Sequence, residues 1–288
     1  MNTKNVILDF ITSFKNPPSG EEARHARRAY RQHFSISQTV FITTMVFMFL
    51  PLVVLVVYSF NASKGMTWTG FSLTWYEQLF FRSRNLWRAF WYSIYIAFAS
   101  AIIATIIGTL GAIGINWYRF RFRNFIQTIS FMPMILPEII IGVSLSIFFA
   151  GIGIQLGLTT ILIAHISFNL PFVFLMVMAR LDEFDFSIIE AAQDLGATEI
   201  QTLFKVTIPV CLPGIVSGFL TAVTISLEDF VITYFVTGPG SSTLPIYIYS
   251  SIRYGVSPVI NSLSVVMILG TVLLTFLLRN FLKNIAAK

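Results

Sequence analysis

Six apolar runs, each about 20 residues or longer and so able to cross the hydrocarbon core of a bilayer as a helix, alternate along this chain with short polar intervals. They extend from Val40 to Phe60, Ala89 to Trp117, Phe125 to Ala150, Leu158 to Ala179, Ile208 to Val236 and Pro258 to Leu278. The pattern predicts an all-α polytopic membrane protein with six transmembrane helices. Before them, Val6, Ile7, Phe10, Ile11 and Phe14 recur at helical spacing and stop at Asn16-Pro17-Pro18-Ser19-Gly20. That spacing suits a helix lying on a membrane surface, and an unstructured tail accounts for it nearly as well. Residues 1–37 are therefore read as an N-terminal extension, 38–282 as the membrane domain and 283–288 as a tail.

Within the runs, Ala97, Ala101, Thr105, Gly108 and Ala112 form a stripe of small residues at spacings of three and four, suited to close helix packing in lipid. Gly151 to Gly157 is short and uncharged, which predicts that the third and fourth spans form an antiparallel pair. Trp68, Trp75, Trp87 and Trp91 cluster around one loop or its border, where indoles anchor at the membrane interface.

The interval between the fourth and fifth spans, 182–209, is different. It carries Asp182, Glu183, Asp185, Glu190, Asp194 and Glu199, too polar to insert. Ser187 with Glu190 has the spacing of a capping box, Gly196 suits the left-handed end of a helix, and Thr198 with Gln201 offers a second capping box. The interval thus reads as helix, turn, helix. Ile188, Ala192 and Leu195 share one face of the first helix, fit for a groove on another protein or for resting on the membrane surface. From these residues alone the two readings are even, with Glu190 and Gly196 serving only as cap and stop in the second.

Composition agrees with a membrane protein: 56% of residues are hydrophobic, 11% are charged and the mean hydropathy is +0.77. Charge sets the orientation. Fourteen of the 19 Lys and Arg residues fall on one side of the six runs, which places both termini in the cytoplasm. The net charge of +6 then reflects topology and attraction to anionic lipid, including Arg24, Arg27, Arg28 and Arg31, and not nucleic-acid binding. Cys211 is the single cysteine, so an internal disulfide and a cysteine metal cluster are excluded.

Three acids lie inside predicted spans: Glu138, Glu228 and Asp229. A charge near a helix centre costs about 2.5–3.5 kcal/mol on insertion scales, so such groups face a cavity or a partner. Ser217, Thr221, Thr224 and Glu228 are spaced four, three and four apart and form one polar stripe on the fifth span. Asp229 points about 100° away on a regular helix, which ranks it below Glu228. Glu138 follows Pro137, a residue able to kink a membrane helix and widen a cavity. His165, alone in the fourth span, is read as bonded to a neighbouring helix, since one imidazole makes a poor metal site.

Glu190-Ala191-Ala192, Gly196 six residues after Glu190, and the hydrophobic-x-hydrophobic-Pro ending at Pro209 resemble the EAA loop of bacterial ABC importer permeases. His165 to Val173, Ser226 to Asp229, Phe235 to Pro239 and Gly255 to Pro258 narrow the resemblance to spermidine/putrescine permease subunits of the PotC type. The resemblance implies a six-span permease of the type I importer (MetI-like) architecture in the bacterial cytoplasmic membrane. It also implies a second homologous permease, two copies of a cytoplasmic ATPase and an extracytoplasmic polyamine-binding protein. Glu190, Ala191, Ala192, Leu195 and Gly196 become the ATPase-coupling residues, and Glu138, Glu228, Asp229, Thr224 and Thr221 the substrate path. No Gly-x-x-x-x-Gly-Lys-Ser/Thr loop occurs in the chain, so no cofactor is expected here and ATP with Mg²⁺ belongs to the partner ATPase. The chain is read as a transport subunit, not an enzyme. The same architecture could carry ferric ion or thiamine, and an ATP-independent channel or secondary transporter is the rival class.

Overall fold

The computed structural model describes residues 21–286 apart from 66, 184 and 254–256, and for 21–35 and 278–286 it describes the backbone alone. The surface helix expected over Val6–Phe14 falls outside these residues. The chain divides into two units, ending and beginning at Phe71 and Ser72.

The first unit holds one long helix, α1 (Glu21–Tyr58), whose stretch Ile36–Tyr58 is apolar enough to span a membrane. The helix starts well before the apolar run, so the basic residues Arg24 to Arg31 are helical and continuous with it. After α1, the Asn61 side chain organises a tight loop: its amide donates to the Thr67 carbonyl at 2.9 Å and its oxygen accepts the Thr69 N–H at 3.0 Å. Phe60 stacks on Phe71, with ring centroids 5.2 Å apart, and closes the loop.

Every regular element among the second unit's described residues is a helix. Its elements are α2 (Thr74–Glu77) with a π turn at Gln78–Arg82, α3 (Arg84–Trp117), α4 (Arg123–Ile135), α5 (Glu138–Gly151), α6 (Leu158–Asp182), α7 (Ser187–Asp194) and α8 (Glu199–Thr202). A π segment at Leu203–Thr207 leads into α9 (Ile208–Glu228), followed by α10 (Val231–Val236), α11 (Leu244–Arg253) and α12 (Pro258–Ala286).

Helices α3, α6 and α9 pack together as the core of this unit. The small-residue stripe does what its spacing predicts. Ala97, Ala101 and Ala112 have no exposed surface, and a Cβ on Gly108 would lie 3.0 Å from the Val173 side chain and 3.3 Å from the Phe174 nitrogen. Where α9 crosses α6, a Cβ on Gly214 would lie 2.9 Å from both the Arg180 Cβ and the Met176 carbonyl oxygen. The backbones approach this closely because neither glycine carries a side chain, and dispersion contacts take over where lipid offers no hydrophobic driving force.

Two of the six predicted spans depart from straight helices. The run Phe125–Ala150 is a bent pair: α4 and α5 meet at 106° across Leu136-Pro137, so the described residues include five long apolar helices and a sixth crossing only if this pair counts as one. Pro137 supplies the break, being fixed in φ and having no N–H to continue the ladder. The run Ile208–Val236 ends its regular helix at Glu228, and α10 starts afresh at Val231, two residues intervening. The expected pairing of the third and fourth spans holds for one half only: α4 packs on α6, with Phe131 edge-on to Phe174, whereas α5 packs chiefly on α10. Of the tryptophans, Trp75 is buried with Leu79, Leu86 and Leu263, and Trp87 Nε1 donates to the Leu79 carbonyl at 2.8 Å. Both therefore serve packing instead of the interface, whereas Trp68 and Trp91 remain exposed.

The glycine contacts make a paired prediction. Gly214→Ala must push backbone against backbone and is expected to destabilise the protein by about 1–3 kcal/mol. Gly114→Ala, with nothing within 4 Å of its Cβ, is expected to be neutral or slightly stabilising. Melting temperatures of the two purified variants in detergent check this, and equal melting would refute it.

Candidate functional site

The acidic interval folds as helix, turn, helix. Its first helix, α7, does not use the expected Ser187–Glu190 box. Asp185 Oδ1 accepts the Ser187 N–H at 3.0 Å instead, so Ser187 lies inside the first turn. That bond holds the Asp185 carboxyl below its ordinary range. The end of α7 is a two-bond reversal: Gly196 N–H donates to Gln193 O at 2.8 Å and Ala197 N–H to Ala192 O at 3.0 Å, with Gly196 at φ +86°. The second capping box is present, Gln201 N–H to Thr198 Oγ1 at 3.3 Å and Thr198 N–H to Gln201 Oε1 at 3.0 Å.

The second helix of the interval does not stop before the fifth span. Residues Glu199–Glu228 form one helix with a π segment at Leu203–Thr207. Pro209 has no N–H for the Lys205 carbonyl, and the wider π turns accommodate that gap.

Around the turn, Glu190, Ala191 and Gly196 are exposed and Ala192 is half-buried. Leu195 is 90% exposed, and Ile200 (70%) and Phe204 (63%) extend the apolar patch beyond the predicted Ile188–Ala192–Leu195 stripe. Ile189 is the buried anchor of α7. On the other side, the Tyr118 hydroxyl at the end of α3 donates to Glu199 Oε2 at 2.9 Å, a tie between distant segments that sequence reading missed. The carboxylate's bond and charge push the Tyr118 phenol above its ordinary value.

The three membrane acids gather where the two broken helices meet. Glu138 opens α5, Glu228 closes α9, and both are exposed. Asp229 sits in the break and is buried. Its carboxylate accepts the Ile232 N–H at 3.2 Å, the Thr233 N–H at 2.9 Å and the Thr233 hydroxyl at 2.6 Å. These bonds satisfy amides that the new helix α10 leaves free, a service water cannot perform inside a bilayer.

His165 completes the arrangement. Because the Thr233 hydroxyl donates to Asp229, it accepts from His165 Nε2 at 2.8 Å, and the Ser226 hydroxyl lies 2.6 Å from Nδ1. Ser226 contacts Ser100 Oγ at 3.3 Å, which accepts from Asn169 Nδ2 at 3.2 Å. One buried chain of hydrogen bonds thus joins α3, α6, α9 and α10. The sequence indicated a helix-bonded role for His165 but could not name partners 61 and 68 residues away.

Along α9, Ser217, Thr224 and Glu228 lie on the exposed face with Thr221 half-buried, so the predicted polar stripe faces outward from the second unit's core. Thr224 Oγ1 donates back to the Leu220 carbonyl at 2.9 Å. Among the described residues, no group of three or more His, Cys, Asp or Glu could hold a metal.

A bundle of long apolar helices, two of them interrupted, with a capped polar helix pair between two spans, defines a membrane permease, and this fold has close counterparts. A bacterial ABC transporter involved in the import of the acidic polysaccharide alginate matches with a TM-score of 0.72 at 18% identity, covering 93% of this chain and 100% of that one. The chain belongs to the family of binding-protein-dependent transport system inner membrane components, whose model matches residues 104–288. It is a multi-pass inner-membrane protein. It is 41% identical over 232 residues to the spermidine/putrescine transport system permease protein PotC of Haemophilus influenzae, covering 80% of this chain and 90% of that protein. It is also 41% identical over 234 residues to the putrescine transport system permease protein PotI of Escherichia coli K12, covering 78% and 83% respectively.

Two predictions follow the geometry. His165→Ala strips partners from buried Ser226 and Thr233 and is expected to cost about 1–3 kcal/mol, read as a lowered melting temperature. For Asp185 the sign is that of a depressed carboxyl: its cap is present above the ordinary value of 3.8 and lost as pH falls through the depressed one. Amide exchange at Ser187 is therefore expected to rise in Asp185→Ala at neutral pH, measured by hydrogen–deuterium exchange of the intact protein.

Proposed function

We propose that this chain is one permease subunit of an ATP-driven importer that carries polyamines, spermidine or putrescine, into the bacterial cytoplasm by alternating access. The observation that carries the reading is the meeting of two interrupted helices at Glu138, Glu228 and Asp229. Non-helical backbone at membrane depth is tolerated where it is buried in protein or lines a cavity, and such breaks are where transporters hold their substrates. The charge favours a cation: the sequence has no Lys or Arg from 124 to 179 or from 206 to 252. Glu138 and Glu228 present exposed carboxylates to the path, with Thr221 and Thr224 along it. Asp229 contributes negative potential while its oxygens hold α10.

The partners follow from surfaces left uncovered. A polar stripe facing outward from a membrane helix is costly against lipid, so the face bearing Ser217, Thr224 and Glu228 meets a second, homologous permease. The patch of Leu195, Ile200 and Phe204 beside Glu190, Ala191, Ala192 and Gly196 docks a cytoplasmic ATPase, present in two copies, which carries the ATP and Mg²⁺. An extracytoplasmic polyamine-binding protein delivers the cargo. Both termini are cytoplasmic, consistent with the distribution of Lys and Arg.

Two variants test the reading in the reconstituted complex. Glu228→Gln keeps size and loses charge, and is expected to lower spermidine uptake about tenfold, the worth of one charge-assisted contact; unchanged uptake across a concentration series removes Glu228 from the path. Gly196→Asp forces a side chain into the left-handed region and is expected to weaken ATPase association and uptake together. A well-expressed Gly196→Asp protein that still copurifies with the ATPase and transports normally would falsify the docking assignment.

A further inference from the structure

Two cavities, one apolar and one polar, meet at the end of α3. Helices α3 and α4 both pack on α6 but scarcely touch each other, which leaves a cleft of about 450 Å³ between them. Leu170 and Phe174 of α6 form its floor, Gly111 and Gly114 one wall, and Ile126 and Ser130 the other. A Cβ on Gly114 would meet nothing within 4 Å, and one on Gly111 only the Phe174 ring at 3.8 Å, so these glycines hold the cleft open instead of drawing helices together. The hydroxyls at the cleft are already bonded: Ser130 donates to the Ile126 carbonyl at 2.8 Å and Tyr118 to Glu199 at 2.9 Å. What remains for a ligand is an apolar slot between two membrane helices.

Tyr118 lines this cleft and also the second cavity, of about 480 Å³, which lies between the turn after α3 and helix α7. Charges of both signs line it, Arg119 and Arg123 with Glu190 and Glu199. Neither arginine has a carboxylate within 4 Å among the described residues. On the same lining, Asn116 Oδ1, Trp117 Nε1 and Arg123 Nε are buried without a hydrogen-bond partner. Buried polar atoms are ordinarily paired, and two donors with one acceptor on a single cavity call for a partner that both accepts and donates. The Trp117 and Arg123 nitrogens have no bond to give up in turning toward it.

The apolar cleft decides between candidate partners. Water or a soluble ion would occupy the polar cavity alone, whereas a phospholipid fills both, its chain in the cleft and its headgroup past Tyr118. Two arginines by themselves would select an anionic headgroup, but the two carboxylates match an ammonium. We propose that the adjoining cavities bind one phospholipid with an ethanolamine headgroup. Its phosphate accepts from Arg119, Arg123 and Trp117, and its ammonium donates to Asn116 and to the carboxylates of Glu190 and Glu199. Glu199 accepts from Tyr118 through Oε2, and a carboxylate has further lone pairs to offer. One acyl chain lies between α3 and α4 against Leu170 and Phe174. Through Glu190 the lipid ties α7 to the membrane, and the site is independent of which cargo the protein carries.

The test uses the complete complex, purified in detergent and delipidated, with bound ligand counted by native mass spectrometry. It is titrated with phosphatidylethanolamine, phosphatidylglycerol, phosphatidylcholine or soluble phosphoethanolamine. Gly114→Leu fills the cleft, and Arg119→Gln/Arg123→Gln removes the phosphate's partners. Both variants are expected to keep the subunit stoichiometry and to weaken the tightest-bound phosphatidylethanolamine about tenfold, the worth of one charge-assisted contact or more. Phosphatidylcholine, whose quaternary ammonium donates no hydrogen bond, is expected to bind more weakly than phosphatidylethanolamine to the wild type. Equal phosphatidylethanolamine binding by the wild type and either variant overturns the site. Phosphatidylglycerol or phosphatidylcholine binding as tightly overturns the headgroup assignment, and phosphoethanolamine binding as tightly makes the polar cavity a site for a free zwitterion and refutes the lipid. Absence of any tightly held lipid means that water or another segment of the complex fills the cavities, and the proposal falls. If Gly114→Leu does not assemble, Ser130→Leu on the opposite wall decides by the same criteria.

Discussion

A hydrocarbon layer offers no water to an unpaired amide, and the structure is organised around meeting that demand at one place. The fifth span is interrupted in its apolar stretch, and interruption exposes the first N–H groups of α10. Asp229 answers with both oxygens, the Thr233 hydroxyl donates to Asp229 in turn, and His165 donates to that hydroxyl. Without that set of bonds the break would close into a longer helix or cost several unsatisfied groups. With it, Glu228 is left at a helix end with its carboxylate exposed, and α5 can lie against α10 with Glu138 at its start.

The same bonds tie the break to the core. Ser226, Ser100 and Asn169 extend the network into the tightly packed α3, α6 and α9, where Gly108 and Gly214 bring backbones into contact. The break is therefore mounted on the closely packed core of the second unit. A buried polar network of this kind favours one arrangement, and losing a member would be expensive in so dry a setting.

Much of this was legible in the sequence, for reasons that differ from element to element. Apolar runs located the long helices because bilayer thickness imposes length directly. Gly196 and the Thr198–Gln201 box were legible because caps depend on residues three or four apart. Ser187 misled because Asp185, two residues earlier, competes for the same amide with a charged oxygen and wins. The break at Asp229 was hidden within an unbroken apolar run: its Asp–Thr pair four residues apart is a local signal, but the imidazole that completes it sits 64 residues upstream. The Tyr118–Glu199 bond and the exposed Ile200 and Phe204 depend on tertiary placement, which periodicity alone does not specify.

The unbroken helix from Glu199 to Glu228 has a mechanical meaning. Thirty residues at about 1.5 Å each make a rod about 45 Å long, with Ile200 and Phe204 near one tip and the Glu228 carboxylate at the other. A tilt of about 5° around its middle displaces each tip by about 2 Å in opposite directions, so no relay of intermediate contacts is needed between them. The π segment sits near one tip, leaving the long remaining arm to act as a lever whose fulcrum is the crossing at Gly214.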